Sequence, residues 1–186
     1  MAIDWLREHV GWAVFAALWV AGLAMALLHV LGAFELNPFV TTVSDYVSLP
    51  GGAVLLAVAV LGLALATVLV PARVTWPFWL GAAGLVATVV FPTNEVGTAP
   101  DFATVVHRYA AALFFICLPI GAWLSGNRIM AMVSAAIGVL FLVSHVPLVL
   151  PHAPGAHLIA TVLPRGLVER VLLGTDIVLV ARRAVR

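Results

Sequence analysis

Polar positions interrupt the apolar ones in this chain at long, nearly regular intervals. Apolar residues dominate six stretches, approximately 11–33, 51–70, 75–91, 103–124, 128–150 and 164–181. Their lengths cluster near the ~20 residues that a helix needs to cross the hydrocarbon of a bilayer. The pattern therefore predicts an all-α fold, a single domain over residues 1–186 made of six transmembrane helices in one bundle. The breaks carry turn chemistry: Asn37-Pro38 and Pro50-Gly51-Gly52 bound the first loop, Pro71 ends the second run and Phe91-Pro92 the third. Ser125-Gly126-Asn127 is a tight turn between runs four and five, and Pro151, Pro154 and Gly155 break the fifth from the sixth. Pro77 and Pro164 stand near helix starts, where a missing N–H costs little. Pro119 stands well inside the fourth run and is expected to kink it.

Six spans put both termini on one side. Arg7, Arg73, Arg128 and the tail Arg182, Arg183 and Arg186 fall on that side; only Arg108, Arg165 and Arg170 fall on the other. The positive-inside rule then makes both termini cytoplasmic in a multi-pass protein of the inner (cytoplasmic) membrane. Trp5, Trp12, Trp76, Trp79 and Trp123 map to the cytoplasmic ends as interfacial anchors, with Trp19 deeper. The external loops are the long ones, and long loops on a rigid helical scaffold usually carry function. The first run, preceded by mixed charge in residues 1–9 and longer than a signal-peptide core, reads as a retained span. Small residues recur at helical spacing: Ala13/Ala17, Gly22/Ala26, Gly62/Ala66, Gly81 with Gly84, Ala110–Ala112 and Ser134/Gly138. In lipid they allow close backbone approach, so they read as contacts between helices.

Composition agrees. The chain is 64% hydrophobic and 9% charged, against about 25% charged in a typical soluble domain, and mean hydropathy is +1.17. Net charge is +1 and there is no extended basic cluster, which argues against nucleic acid. Membrane lipids are the expected partners, with other membrane subunits or a second copy of the chain as further candidates. The single cysteine, Cys117, excludes an intrachain disulfide.

Scarce ionisable residues gather on one side. His29, His107, His145, His152 and His157, together with Glu35, Asp45, Glu95, Asp101 and Glu169, all map to the external half. Depth sorts them further. His29 lies about one turn below the outer end of the first helix, His107 and Arg108 about one turn into the fourth, and His145 more than one turn below Pro151. Glu169 and Arg170 lie at similar depth in the last helix. Ser44, Asp45, Asn94, Glu95 and Asp101 hang just above this layer. His152 and His157, in a Pro/Gly loop, read as solvated. Ionisable groups within spans are costly and by default face the bundle interior and pair.

Several readings of that layer stand side by side. As a structural network, Arg108 or Arg170 pairs with Asp45, Glu95 or Asp101 and the histidines donate to carbonyls. As a catalytic site for a lipid or lipid-linked substrate, Asp45, His107 and Arg108 supply acid/base and anion-holding groups, with Asn94 and Glu95 behind them. Neither Ser44 beside Asp45 nor Ser144 beside His145 makes a triad, because helix neighbours point apart. No cofactor is expected; the alternative is zinc on His29, His107 and His145, or a haem clamped by two of them. As a small transporter, the chain would use Asp176, deep in the last helix, as a proton relay. On every reading Asp45, His107, Arg108, Glu169 and Arg170 should lie close together.

Four stretches in this order resemble one prokaryotic membrane family. They are Thr42-Val43-Ser44-Asp45-Tyr46, Phe91-Pro92-Thr93-Asn94, the run from His107 to Phe115, and Gly166-Leu167-Val168-Glu169-Arg170-Val171. The family is known as domain of unknown function 998. The resemblance covers nearly the whole chain and implies a six-helix membrane protein without a settled activity. Where Asn94 stands, that family often has an acid. A more distant analogy links Ser44, Asp45, His107 and His145 to the ceramidase and adiponectin-receptor-like membrane hydrolases, which would imply a zinc-dependent hydrolase. Their paired-histidine motif and seventh span are absent here.

Overall fold

A computed structural model describes residues 2–94, 98–150 and 152–185, with side chains for these except 2–8 and 149. Glu95, Pro151, Arg186 and the side chains of Trp5 and Arg7 lie outside it. The described chain is all-helical. Its helices are α1 (Ala2–Gly32), α2 (Gly52–Leu69), α3 (Trp76–Val90), α4 (Phe102–Leu124), α5 (Arg128–Ser144), α6 (Val146–Val149), α7 (Ala156–Val162) and α8 (Arg165–Ala184), with a 3-10 turn at Val43–Ser48. Four stretches are long and apolar enough to cross a membrane: His9–Gly32, Gly52–Leu69, Phe102–Leu124 and Arg128–Leu148. α3 is apolar but shorter. α8 is long enough but carries Arg165, Glu169, Arg170, Asp176, Arg182 and Arg183.

The long helices form a closed antiparallel ring in the order α1, α2, α3, α4, α5, α8, with α8 returning to α1. Cross-helix contacts fix the antiparallel sense. Gly62 meets Ala17 and Ala21, Gly84 meets Ala110 and Phe114, and Gly11 meets Ala184. Ser134 bonds Asp176. One end of the ring holds both termini and the short α2–α3 and α4–α5 connections. The other, the loop end, holds the 33–51, 91–101 and 145–164 segments. The main core lies toward the termini, with Val14, Phe78, Phe114, Leu118, Leu179 and Val180 buried together. A smaller cluster of Leu28, Tyr46 and Leu49 sits at the loop end.

α8 is inside out for a helix in water. Glu169, Asp176 and Arg183 are buried, while Leu167, Val171, Ile177 and Val178 are exposed. The exposed positions of α1 and α5 are apolar too, among them Trp19, Leu23, Leu27, Ile129, Val139 and Leu142. Trp12, Trp76, Trp79 and Trp123 are exposed toward the terminal end. Arg128 lies 5.5 Å over the Trp123 ring.

Three boundaries differ from the sequence expectation. α1 begins at Ala2 because no proline or turn sequence separates residues 2–10 from the run beyond. The fifth run stops at Ser144 rather than near 150. Pro147 cannot donate to the helical ladder, so the chain turns at His145 into the one-turn α6. Residues 156–162, read as loop, form α7. α4 runs on through Pro119.

The small residues divide into two sets. Ala17, Ala66, Ala110 and Ser134 are buried between helices. A Cβ at Gly62 would come within 3.0 Å of the Ala17 carbonyl, and one at Gly84 within 2.6 Å of the Ala110 carbonyl. Ala13, Gly22 and Ala26 instead face outward, while Gly138 is half-buried in the cleft between α4 and α5; Cβ atoms at Gly22 and Gly138 would meet nothing within 4 Å. Periodicity alone does not say which face of an all-apolar helix turns inward. Gly84→Ala should therefore lower stability by about 1–3 kcal/mol, the usual cost of overpacking. Gly22→Ala should leave stability unchanged or raise it slightly. Thermal unfolding of both variants in detergent checks this, and equal losses would refute the division.

Candidate functional site

The loop after α1 is fastened to the start of α8. Phe39 carbonyl accepts from Leu167 N at 3.1 Å, Val40 carbonyl from Arg165 Nε at 2.9 Å and Thr41 carbonyl from Arg170 Nη1 at 2.8 Å. Val43 N donates to the buried Glu169 Oε2 at 2.6 Å. Gly166 permits this approach, since a Cβ there would lie 2.2 Å from the Thr41 carbonyl. Asp45 closes the 3-10 turn on itself: its Oδ2 accepts from Thr42 N at 2.6 Å and lies 3.7 Å from Arg165 Nη2. Ser44 Oγ sits 3.0 Å from Thr42 Oγ1.

Arg170 ties this loop to α1. Its Nε donates to His29 Nε2 at 2.9 Å, and its Nη2 lies 3.2 Å from the hydroxyl of the buried Tyr46. His29 Nδ1 lies 2.8 Å from the Met25 carbonyl. Both contacts are satisfied at once by a neutral ring protonated on Nδ1. The His29 and Tyr46 rings stack at 5.0 Å.

The α3–α4 corner is a second fastening. His107 Nδ1 lies 3.1 Å from the Thr88 carbonyl and 3.0 Å from that of Phe91, so it donates to the last turn of α3. Asp101 caps α4, accepting from Thr104 N at 2.8 Å. That amide bond is the main influence holding the Asp101 carboxyl below its usual range. Thr104 Oγ1 donates to Asn94 Oδ1 at 2.8 Å, and Asn94 Nδ2 donates to the Ala99 carbonyl at 2.7 Å. His145, which caps α5, has Nδ1 2.9 Å from the Phe141 carbonyl. Ser144 Oγ does approach it, at 3.4 Å, but also bonds the Phe141 carbonyl at 2.7 Å. The pair shares a helix-end acceptor.

Two cavities open around these groups. One, of about 250 Å³, lies inside the ring among α2, α3, α4 and α8, and is walled by Leu56, Ala57, Val60, Leu85, Phe114 and Leu173. The other, of about 930 Å³, is a groove between α4 and α5. It runs from Asp45, Arg108, His145 and Arg165 at the loop end past Ile116, Ile120, Met132 and Val139 to Trp123 and Leu124. Both are bordered by Ser44, Thr93, His107, Ala111, Phe115 and Glu169.

Asp45, His107, Arg108 and Glu169 thus border one groove, with Ser44 and His145. Arg170, about 100° around α8 from Glu169, points instead at α1 and Tyr46. The partner of Asp45 is Arg165, not Arg108 or Arg170, because α8 begins directly beneath the loop. Arg108 makes no hydrogen bond or ion pair among the described residues, and none joins Asp45 to His107. Asn94 and Asp101 serve the corner, and Glu95 lies outside the described residues. His152 and His157 are exposed. No three His, Cys, Asp or Glu side chains come together as a metal site among the described residues; His29 spends Nε2 on Arg170. Asp176 is fully buried and lines neither cavity. Its Oδ1 accepts from Ser134 Oγ at 2.6 Å, and its Oδ2 has no partner. Arg165 and Tyr46 were not among the expected site residues. The only signal for Arg165 was its place at a Pro-Arg-Gly helix start.

Fold and site together define an all-helical protein of the multi-pass membrane type, with a polar layer at one end of its ring. Residues 20–186 match the family described as protein of unknown function (DUF998). The chain belongs to that family. Comparison with curated proteins and with solved structures returned no match.

Removing the Glu169 carboxylate strands a buried amide. Glu169→Ala should lower the unfolding free energy by about 1–3 kcal/mol, the cost of leaving a buried donor unsatisfied. It should also speed hydrogen exchange at Val43. Glu169→Gln, which keeps an acceptor oxygen, should lose less. Unchanged exchange at Val43 would contradict this role.

Proposed function

We propose that this protein spans the membrane six times, with both termini cytoplasmic, and binds an anionic amphiphile sideways from the bilayer in the α4–α5 groove. The observation that carries the reading is the groove's polarity along its length: arginines and a histidine at one end, an apolar wall below. From Arg108 to Leu124 α4 rises about 24 Å at ~1.5 Å per residue, a length suited to a lipid tail. Asp45 offsets Arg165, and Glu169 is committed to Val43, which leaves Arg108 as the charge at the mouth without a partner among the described residues. A phosphate or carboxylate headgroup is its natural complement.

Support for six spans comes from α3 and α8. α3 closes the ring between two longer apolar helices. α8 turns charge inward and apolar residues outward, as a helix does when its surroundings are lipid. The external position of the groove rests on the arginine count and the tryptophans at the opposite end.

Two experiments test this reading. Cys117 is buried, so single introduced cysteines report topology without background. A membrane-impermeant maleimide should label Thr161→Cys in intact cells and Val185→Cys only after permeabilisation; the reverse pattern would invert the assignment. In detergent, the wild type should prefer phosphatidylglycerol to phosphatidylcholine. Arg108→Gln should weaken the anionic lipid about tenfold, the worth of one charge-assisted hydrogen bond, while leaving thermal stability unchanged. Equal binding of both lipids by the wild type would refute the anionic reading.

A further inference from the structure

Building on the groove reading, we propose that the ligand is a two-chain anionic glycerophospholipid, with its chains divided between the groove and the cavity inside the ring. The two spaces adjoin. Six residues border both, and four of these are polar: Ser44, Thr93, His107 and Glu169. Away from that shared border the inner cavity is apolar except for Thr88, and the groove is apolar below its charged mouth at Asp45, Arg108, His145 and Arg165. Joined across the border, the two make a fork with its polar groups at the loop end and two apolar arms.

α4 is the divider. His107, Ala111 and Phe115, at successive i, i+4 positions, form its ridge. Phe114 lies on the inner side, while Arg108, Ile116 and Ile120 lie on the groove side. The small Ala111 lowers this ridge opposite Glu169. A single-chain amphiphile fills one arm and leaves the other without contacts. A diacyl lipid fills both and sets its glycerol-ester region at the fork, where its ester carbonyls can accept from the hydroxyls of Ser44 and Thr93. Its phosphate then reaches the groove mouth at Arg108 and Arg165. The arms are unequal, about 250 Å³ against about 930 Å³, so the inner one takes the proximal part of a chain.

The test compares phosphatidylglycerol with its one-chain lyso form, titrated into the detergent-solubilised full chain and read by native mass spectrometry. The wild type should bind the two-chain form at least about tenfold more tightly, since a few buried methylenes supply that factor. Ala57→Phe, which fills the inner arm, should abolish the preference without changing lyso-lipid binding. Gly138→Leu, which projects into the groove where a Cβ meets nothing, should weaken both lipids. Should Ala57→Phe fail to fold, Ala53→Phe on the same wall serves instead. Equal affinities in the wild type, or a preference that survives both inner-arm variants, overturn the forked site while leaving the groove reading intact. Binding of neither lipid overturns both.

Discussion

A backbone segment that leaves a helix inside an apolar bundle must find partners for its N–H and C=O groups, because lipid offers none. Residues 37–49 meet this constraint through the first turns of α8. The Leu167 amide and the side chains of Arg165, Glu169 and Arg170 take up the carbonyls of residues 39–41 and the Val43 amide. The rest of the loop end depends on this fastening. It buries Tyr46 against Leu28 and Leu49, sets the 3-10 turn as the roof of both cavities, and brings Asp45 to the groove mouth.

The same constraint explains why α8 carries more charges than any other long helix. A helix devoted only to packing would be apolar throughout, as α2 is. α8 closes the ring and also completes another segment's hydrogen bonding, so its inward face must be polar over its first turns. Further down, Asp176 joins α5 through Ser134, a side-chain bond between helices whose mutual packing is otherwise apolar.

Much of this was legible in the sequence, and the gaps have physical causes. The all-helical class and the antiparallel order follow from apolar runs and turn residues. Counting residues along each helix puts His29, His107, Arg108, His145, Glu169 and Arg170 in one layer beneath the loop of Ser44 and Asp45, because height along a helix follows from residue number. It could not give azimuth. In helices that are apolar all round, nothing in the periodicity tells Gly22, which faces outward, from Gly62 and Gly84, which meet a neighbouring backbone. Nor could depth separate Glu169 from Arg170, which share a height and face different neighbours. Arg165 escaped notice because it was weighed only as a topology charge. The pairing with Asp45 depends on where α8 begins relative to a loop 120 residues earlier, and no local pattern carries that information.

The loop-end arginines show how far structure alone accounts for charge. Arg170 donates to His29, Thr41 and Gly166 and lies against Tyr46. Arg165 holds Val40 and faces Asp45. Remove either and identifiable backbone groups lose their partners, so both have a sufficient structural reason to be there. Arg108 has none among the described residues: it is exposed on α4 at the groove mouth, one residue from a histidine wholly absorbed in capping α3. A charge at a membrane-facing position is expensive unless something offsets it. With no group in that role among the described residues, the anionic headgroup proposed for the groove would supply the offset.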